Sequence, residues 1–212
     1  MKNIRMAAIA AAASLFAFGA ASVAAEQEDD RDGVELSIMG GVQALNENDT
    51  ALPESFVNIP AVAAVTYPLT RILAIEGEFT WMIPIQQSVD FGSGGSQDLK
   101  TPDILAYQAN LRANLPVSAA SLAPYLAAGL GGVTFLSNTD ADRLPQLDDS
   151  VTAFAINFGT GVTYRLVSRW GLRVDFREFV AFPSKDAAGL SDGDEADPIW
   201  MERGTIGVAY AF

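Results

Sequence analysis

The sequence predicts an all-β fold: eight antiparallel strands closed into an up-and-down transmembrane barrel, preceded by a cleaved signal peptide. Three observations predict it. After residue 32, eight segments place apolar residues at every second position. The connections alternate between long polar loops and tight turns. The last segment sets Ile206, Val208, Tyr210 and Phe212 against Gly207, Ala209 and Ala211. Strict alternation marks a strand with one apolar face. A bulky apolar residue at the chain end is unlike the frayed, solvated end of most soluble domains.

Lys2 and Arg5 form a short positive head. An alanine-rich apolar run follows through Phe18, and small residues lead to Ala24 and Ala25 before Glu26. This order describes a secretory signal peptide over residues 1–25. The run is mostly alanine, a poor permanent anchor, and no Cys stands at the exit, so it is not a lipoprotein signal. Residues 26–32 are acidic and apolar-poor, and are expected to form a periplasmic stub. The barrel is expected over 33–212. No apolar run within it reaches the length of a membrane-spanning helix. A closed sheet is the other structure that satisfies every backbone group in lipid.

The first strand begins at Gly33, with Val34, Leu36, Ile38, Val42 and Ala44 on one face and Glu35, Ser37 and Gln43 on the other. Asn46 to Ser55 is a polar loop. The second strand, Val57 to Tyr67, aligns Val57, Ile59, Ala61, Ala63, Val65 and Tyr67, and Pro68 to Thr70 turns. The third sets Leu73, Ile75, Gly77, Phe79, Trp81 and Ile83 against Glu76, Glu78 and Thr80. Gln86 to Thr101 is a loop rich in Gly and Ser. The fourth sets Leu105, Tyr107, Ala109, Leu111, Ala113 and Leu115 against Gln108, Asn110, Arg112 and Asn114, and Pro116 to Ser121 turns. The fifth, Pro124 to Leu136, is rich in Gly and Ala. Its parity is ambiguous, and Leu126, Ala128 and Leu130 are favoured as outward. Ser137 to Ser150 is an acidic loop. The sixth sets Thr152, Phe154, Ile156, Phe158, Thr160, Val162 and Tyr164 against Asn157, Gly159, Gly161 and Thr163. After a turn at Arg165 to Arg169, the seventh sets Trp170, Leu172, Val174 and Phe176 against Arg173, Asp175 and Arg177. Pro183 to Pro198 is the most acidic loop, and the eighth strand runs from Trp200 to Phe212. Tyr67, Tyr164, Trp170 and Phe212 fall near the turn ends, and Trp81, Tyr107, Phe182 and Trp200 near the loop ends, as two interfacial girdles require.

The stretch Pro124-Tyr125-Leu126-Ala127-Ala128-Gly129-Leu130-Gly131 resembles a segment common in OmpA-like small barrels. Ile206, Val208, Tyr210 and Phe212 resemble the C-terminal signature of bacterial outer-membrane barrels. Over 33–212 the chain resembles the OmpA/OmpX-like class of small outer-membrane β-barrels. The resemblance implies location in the outer membrane of a Gram-negative bacterium, contact with outer-membrane lipid and lipopolysaccharide, and a monomer. It also implies that Ile206, Val208, Tyr210 and Phe212 are read by the barrel-assembly machinery. No peptidoglycan-binding domain follows the barrel in this sequence, so a cell-wall tethering role is not carried over.

Charge decides which face is inside. The minority faces carry Glu35, Glu76, Glu78 and Asp175 together with Arg112, Arg173, Arg177 and Arg203, four acids and four bases on a chain of formal charge −13. A solvated face would share the acidic bias. A balanced set points to enclosed charges that pair, because an unpaired buried charge is expensive. These eight residues are therefore expected to form a lumen ion-pair network. An eight-stranded barrel has an interior just wide enough to be filled by side chains, so the network would plug it.

Composition excludes several chemistries. The chain has no His and no Cys, which removes Ser-His-Asp triads, thiol nucleophiles and the commonest transition-metal ligands. Outer-membrane lipid A deacylases, lipid A palmitoyltransferases and omptin proteases share this kind of scaffold but rely on His. Asp192-Gly193-Asp194-Glu195 lacks calcium-loop spacing, and Gly92-Ser93-Gly94-Gly95 lacks the Lys and helix of a phosphate cradle. The acidic chain does not favour nucleic acid. No enzyme, cofactor or metal is expected. The leading expectation is a non-enzymatic barrel with a structural or surface-interaction role. The alternatives are a narrow or gated channel for small solutes, and a soluble periplasmic ligand-binding barrel.

Overall fold

A computed structural model describes residues 33–46, 56–90, 96–117, 119, 121–142, 146–166, 168–184 and 198–212. The expected signal peptide and stub, most of the first polar loop, Gly92-Ser93-Gly94-Gly95 and Asp192-Gly193-Asp194-Glu195 lie outside the described residues. The strands are β1 (Glu35–Asn46), β2 (Phe56–Pro68), β3 (Leu73–Pro84), β4 (Gln87–Asp90), β5 (Ser96–Leu99), β6 (Ile104–Asn114), β7 (Leu122–Phe135), β8 (Val151–Arg165), β9 (Trp170–Phe182) and β10 (Ile199–Ala211). The eight long strands form a closed antiparallel barrel in the order β1-β10-β9-β8-β7-β6-β3-β2. β10 closes it against β1, in register from Glu35↔Ala211 to Asn46↔Trp200. Closure leaves no edge with unpaired backbone groups.

Tight turns join the strands at one end. The Thr70 hydroxyl accepts from the Ile72 and Leu73 amides at 3.2 and 2.9 Å, which fixes the β2–β3 turn. In the β8–β9 turn Ser168 takes φ 56°, the left-handed conformation that short turns use. The loop end differs from expectation. The Gln86–Thr101 connection contains a separate hairpin, β4 paired with β5, in which Ser88 and Asp98 hydrogen-bond through their side chains. Gln87 fastens this hairpin to the barrel: its amide accepts from the Val57 N–H at 3.1 Å and donates to the Val57 carbonyl at 3.0 Å.

The alternation in each strand sorts side chains to opposite faces of the wall. Ile38, Leu130 and Ile206 project outward at 61%, 57% and 55% exposure, while Ser37, Ala127 and Thr205 on the same strands are buried. Leu126, Ala128 and Leu130 all face outward, so β7 has the favoured parity. Apart from Glu178 and Glu202, which stand opposite each other on the outward parity of β9 and β10, the outer surface is apolar, and the turn-side interior is polar, the reverse of a soluble barrel that encloses a ligand. Trp170, Tyr210 and Phe212 stack edge to face at the turn end, with centroids 4.9 and 5.1 Å apart. At the loop end the Trp81 indole donates to Asp103 at 3.1 Å, and the Tyr107 and Thr134 hydroxyls share a hydrogen bond at 3.2 Å. These rings sit where an apolar body meets one polar neighbour, the arrangement suited to a lipid–water boundary.

A charge on the outer face tests this assignment. Leu130→Arg should lower the unfolding free energy in phospholipid vesicles by about 2–4 kcal/mol, read from urea titration. A change within about 0.5 kcal/mol is what a water-facing surface position would give.

Candidate functional site

The interior has two layers, and the turn-side layer is ionic. On β9, Arg173, Asp175 and Arg177 are spaced two apart, so all three point inward. Glu76 and Glu78 do the same on β3. In the closed ring three strands separate β3 from β9 on either side, so these two walls are diametrically opposed. Their side chains meet across the full lumen. Arg177 Nη2 lies 2.5 Å from Glu76 Oε1, and Arg173 Nη1 lies 2.8 Å from Glu76 Oε2. Arg203 of β10 takes Glu78 in a fork, with Nη1 and Nη2 at 2.7 and 3.2 Å from the two carboxylate oxygens.

Asp175 is the hub. It accepts from Arg173 Nη2 at 3.2 Å, from Arg177 Nε at 3.1 Å and from Arg203 Nη2 at 3.1 Å. Arg112 on β6 pairs with Glu35 at 3.1 Å and approaches Glu76 at 4.0 Å. All eight residues singled out from the sequence therefore lie inside the barrel and in mutual contact. The outlier is Glu35, whose side chain is 22% exposed at the turn end. Amides complete the shell: Asn110 donates to Glu76 at 3.2 Å, and Asn157 accepts from Arg177 at 3.3 Å. Each of the four guanidinium groups has a carboxylate partner, which offsets the cost of taking the charges out of water. Among the described residues, no group of three or more His, Cys, Asp and Glu side chains is placed to hold a metal ion.

Tyr125 belongs to this network and was not singled out from the sequence. Its hydroxyl accepts from Arg173 Nε at 2.7 Å and donates to Asp175 at 2.5 Å. The Arg112 guanidinium lies 3.8 Å from the ring centroid, a cation–π contact. Opposite Tyr125 in register stands Gly161, whose missing side chain leaves room for the ring.

The loop-side layer of the interior is apolar, and was not singled out from the sequence. Leu45, Phe56, Met82, Ile104, Val133, Phe135, Phe179, Ile199 and Met201 point inward there and form one buried cluster. Two residues from connections expected to be polar loops join it, Leu99 at the end of the hairpin and Leu147 beyond β7. A salt bridge from Lys100 to Asp142 at 3.0 Å ties these two connections together over the mouth. Apolar residues at both parities of the loop ends, such as Met82 beside Ile83 and Phe179 beside Val180, are the signal that would have revealed this layer.

Gly161→Ala should cost about 1–3 kcal/mol, because the added methyl would overlap the Tyr125 ring and the Val174 carbonyl. Gly77→Ala meets nothing within 4 Å and should change stability by no more than about 0.5 kcal/mol. Equal effects at the two positions in urea titrations would contradict the packing of Tyr125.

Residues 9–212 match the family described as outer membrane protein beta-barrel domain. Among solved structures, the chain is similar to the N-terminal β-barrel domain of Pseudomonas aeruginosa OprF at 14% identity, covering 86% of this chain and 98% of that one with a TM-score of 0.52. It is also similar to Neisserial surface protein A at 14% identity, covering 87% of this chain and 100% of that one with a TM-score of 0.55. No curated protein matches the sequence. With a closed eight-stranded barrel, an apolar outer wall and a family match over nearly its whole length, the chain belongs to the outer-membrane β-barrel family.

Proposed function

We propose that this protein is a monomeric, non-enzymatic integral barrel of a Gram-negative outer membrane, exported through a cleaved signal peptide, with a structural or surface-interaction role and a lumen plugged by ion pairs. Guanidinium groups of β9 and β10 that meet the carboxylates of β3 across the diameter of the barrel carry this reading. The apolar cluster at the loop end supports it, since a second dry layer lies above the ionic one. With both layers in place, the outer loops are the surface available to partners, and lipopolysaccharide and outer-membrane lipid are the surroundings of the wall. Ile206, Val208, Tyr210 and Phe212 on the closing strand would serve the barrel-assembly machinery during biogenesis. A narrow channel for small solutes would require the ion pairs to exchange partners and the apolar layer to part.

Arg177→Ala removes one guanidinium and leaves Glu76 and Asp175 short of a partner. Breaking a buried pair on one side costs about 3–5 kcal/mol. The variant should show a lower urea midpoint or leak ions through vesicles; if neither changes, the plug reading is wrong. Fractionation tests the location: the folded, heat-modifiable protein should appear with outer-membrane markers, and recovery in the soluble periplasm would overturn the proposal.

A further inference from the structure

Where the ionic layer meets the apolar one, three inward side chains stand side by side. Gln43 of β1 is directly opposite Asn58 of β2 and directly opposite Arg203 of β10. Side chains directly opposite each other in an antiparallel pair have Cβ atoms roughly 4.5–5.5 Å apart. All three residues are fully buried, at 0% exposure. Among the described residues, neither Gln43 Oε1 nor Gln43 Nε2 has a hydrogen-bond partner, and the same holds for Asn58 Nδ2 and Arg203 Nε. The rest of each group is engaged. Asn58 Oδ1 accepts from Thr101 at 2.9 Å, and the two terminal nitrogens of Arg203 hold Glu78, Thr80 and Asp175. A buried polar atom without a partner is destabilising, and several in adjacent side chains define a site.

We infer that Gln43, Asn58 and Arg203 bind enclosed water. The chemistry selects the ligand. Arg203 Nε and Asn58 Nδ2 require a molecule that accepts hydrogen bonds, and Gln43 Oε1 requires one that donates. A halide cannot donate to Gln43, and a cation is opposed by Arg203. The neighbouring network has four acids and four bases, so no net charge calls for a counter-ion. Water is neutral, donates twice and accepts twice, and buried waters typically make about three hydrogen bonds to groups of this kind. One water satisfies Arg203, Asn58 and Gln43 Oε1, and a second in contact with it serves Gln43 Nε2. Leu45 follows Gln43 on the inward face of β1 and is paired with Phe56 and Met201, so the site is closed on its loop side by apolar side chains. The water lies at the top of the ionic layer and screens the Arg203–Glu78 pair from the dry cap.

Water-to-protein NMR transfer on the 15N-labelled, folded wild-type barrel in detergent micelles tests this. Cross-peaks with the sign of long-lived bound water are expected at the Gln43 side-chain amide and at Arg203 Nε–H. Their absence at both groups would overturn the inference. Gln43→Met keeps the length of the side chain and removes its polar atoms. It should abolish the cross-peak at Arg203 and lower the urea midpoint, because the water loses its anchor. A higher urea midpoint, with no water cross-peak at Arg203 in either protein, would mean that the site is dry and Gln43 merely unsatisfied.

Discussion

Arg177 reaches from β9 across the barrel to Glu76 on β3, and the same guanidinium touches Asp175 and Glu78. Within 4.0 Å, no carboxylate in this layer serves a single cation and no cation serves a single carboxylate; even Arg112 reaches both Glu35 and Glu76, and Glu35 both Arg112 and Arg173. The consequence is collective. Removing one member does not free a pair but leaves two or three partners under-compensated in a space walled by protein, where the desolvation penalty is several kcal/mol per ion. The network also links opposite walls, in the manner of a strut across the barrel.

The two faces of the wall answer to different media. Outward, a band of Ile, Leu, Val and Phe covers most of the wall, with Glu178 and Glu202 facing each other on β9 and β10. Inward, the turn-side half must solve a charge problem and the loop-side half a packing problem. Tyr125 belongs to the first half, with its ring against Arg112 and its hydroxyl between Arg173 and Asp175. Leu99 and Leu147 belong to the second, where segments outside the barrel strands complete a core the strands alone leave open. Gln43 and Asn58 stand at the seam between the two.

Most of the barrel was legible because its strands obey a single period. β3 and β9 each combine a bulky apolar face with a charged one, so the two faces could be read from Glu76, Glu78, Arg173, Asp175 and Arg177. The balance of charge on those faces then identified the inside. Tyr125 was not legible as a network member because β7 is built of small residues on both faces, and parity alone does not announce that an aromatic turns inward. The apolar cap was hidden for a related reason: at the loop ends both parities are apolar, so the period disappears where a second core begins. The β4–β5 hairpin consists of two strands of four residues, too short and too polar to stand out from a loop. The binding partners of the outer loops depend on surface chemistry that a fold does not dictate.

The proposed plug requires that paired side chains fill the lumen in the resting protein. The most direct test is single-channel recording of the mature wild-type barrel in a planar bilayer, with folding verified by gel mobility. A folded barrel that leaves the baseline silent is the predicted result. Discrete conductance steps from the same folded material would contradict it, and would mean that Arg173, Arg177 and Arg203 release their carboxylates often enough to let ions pass.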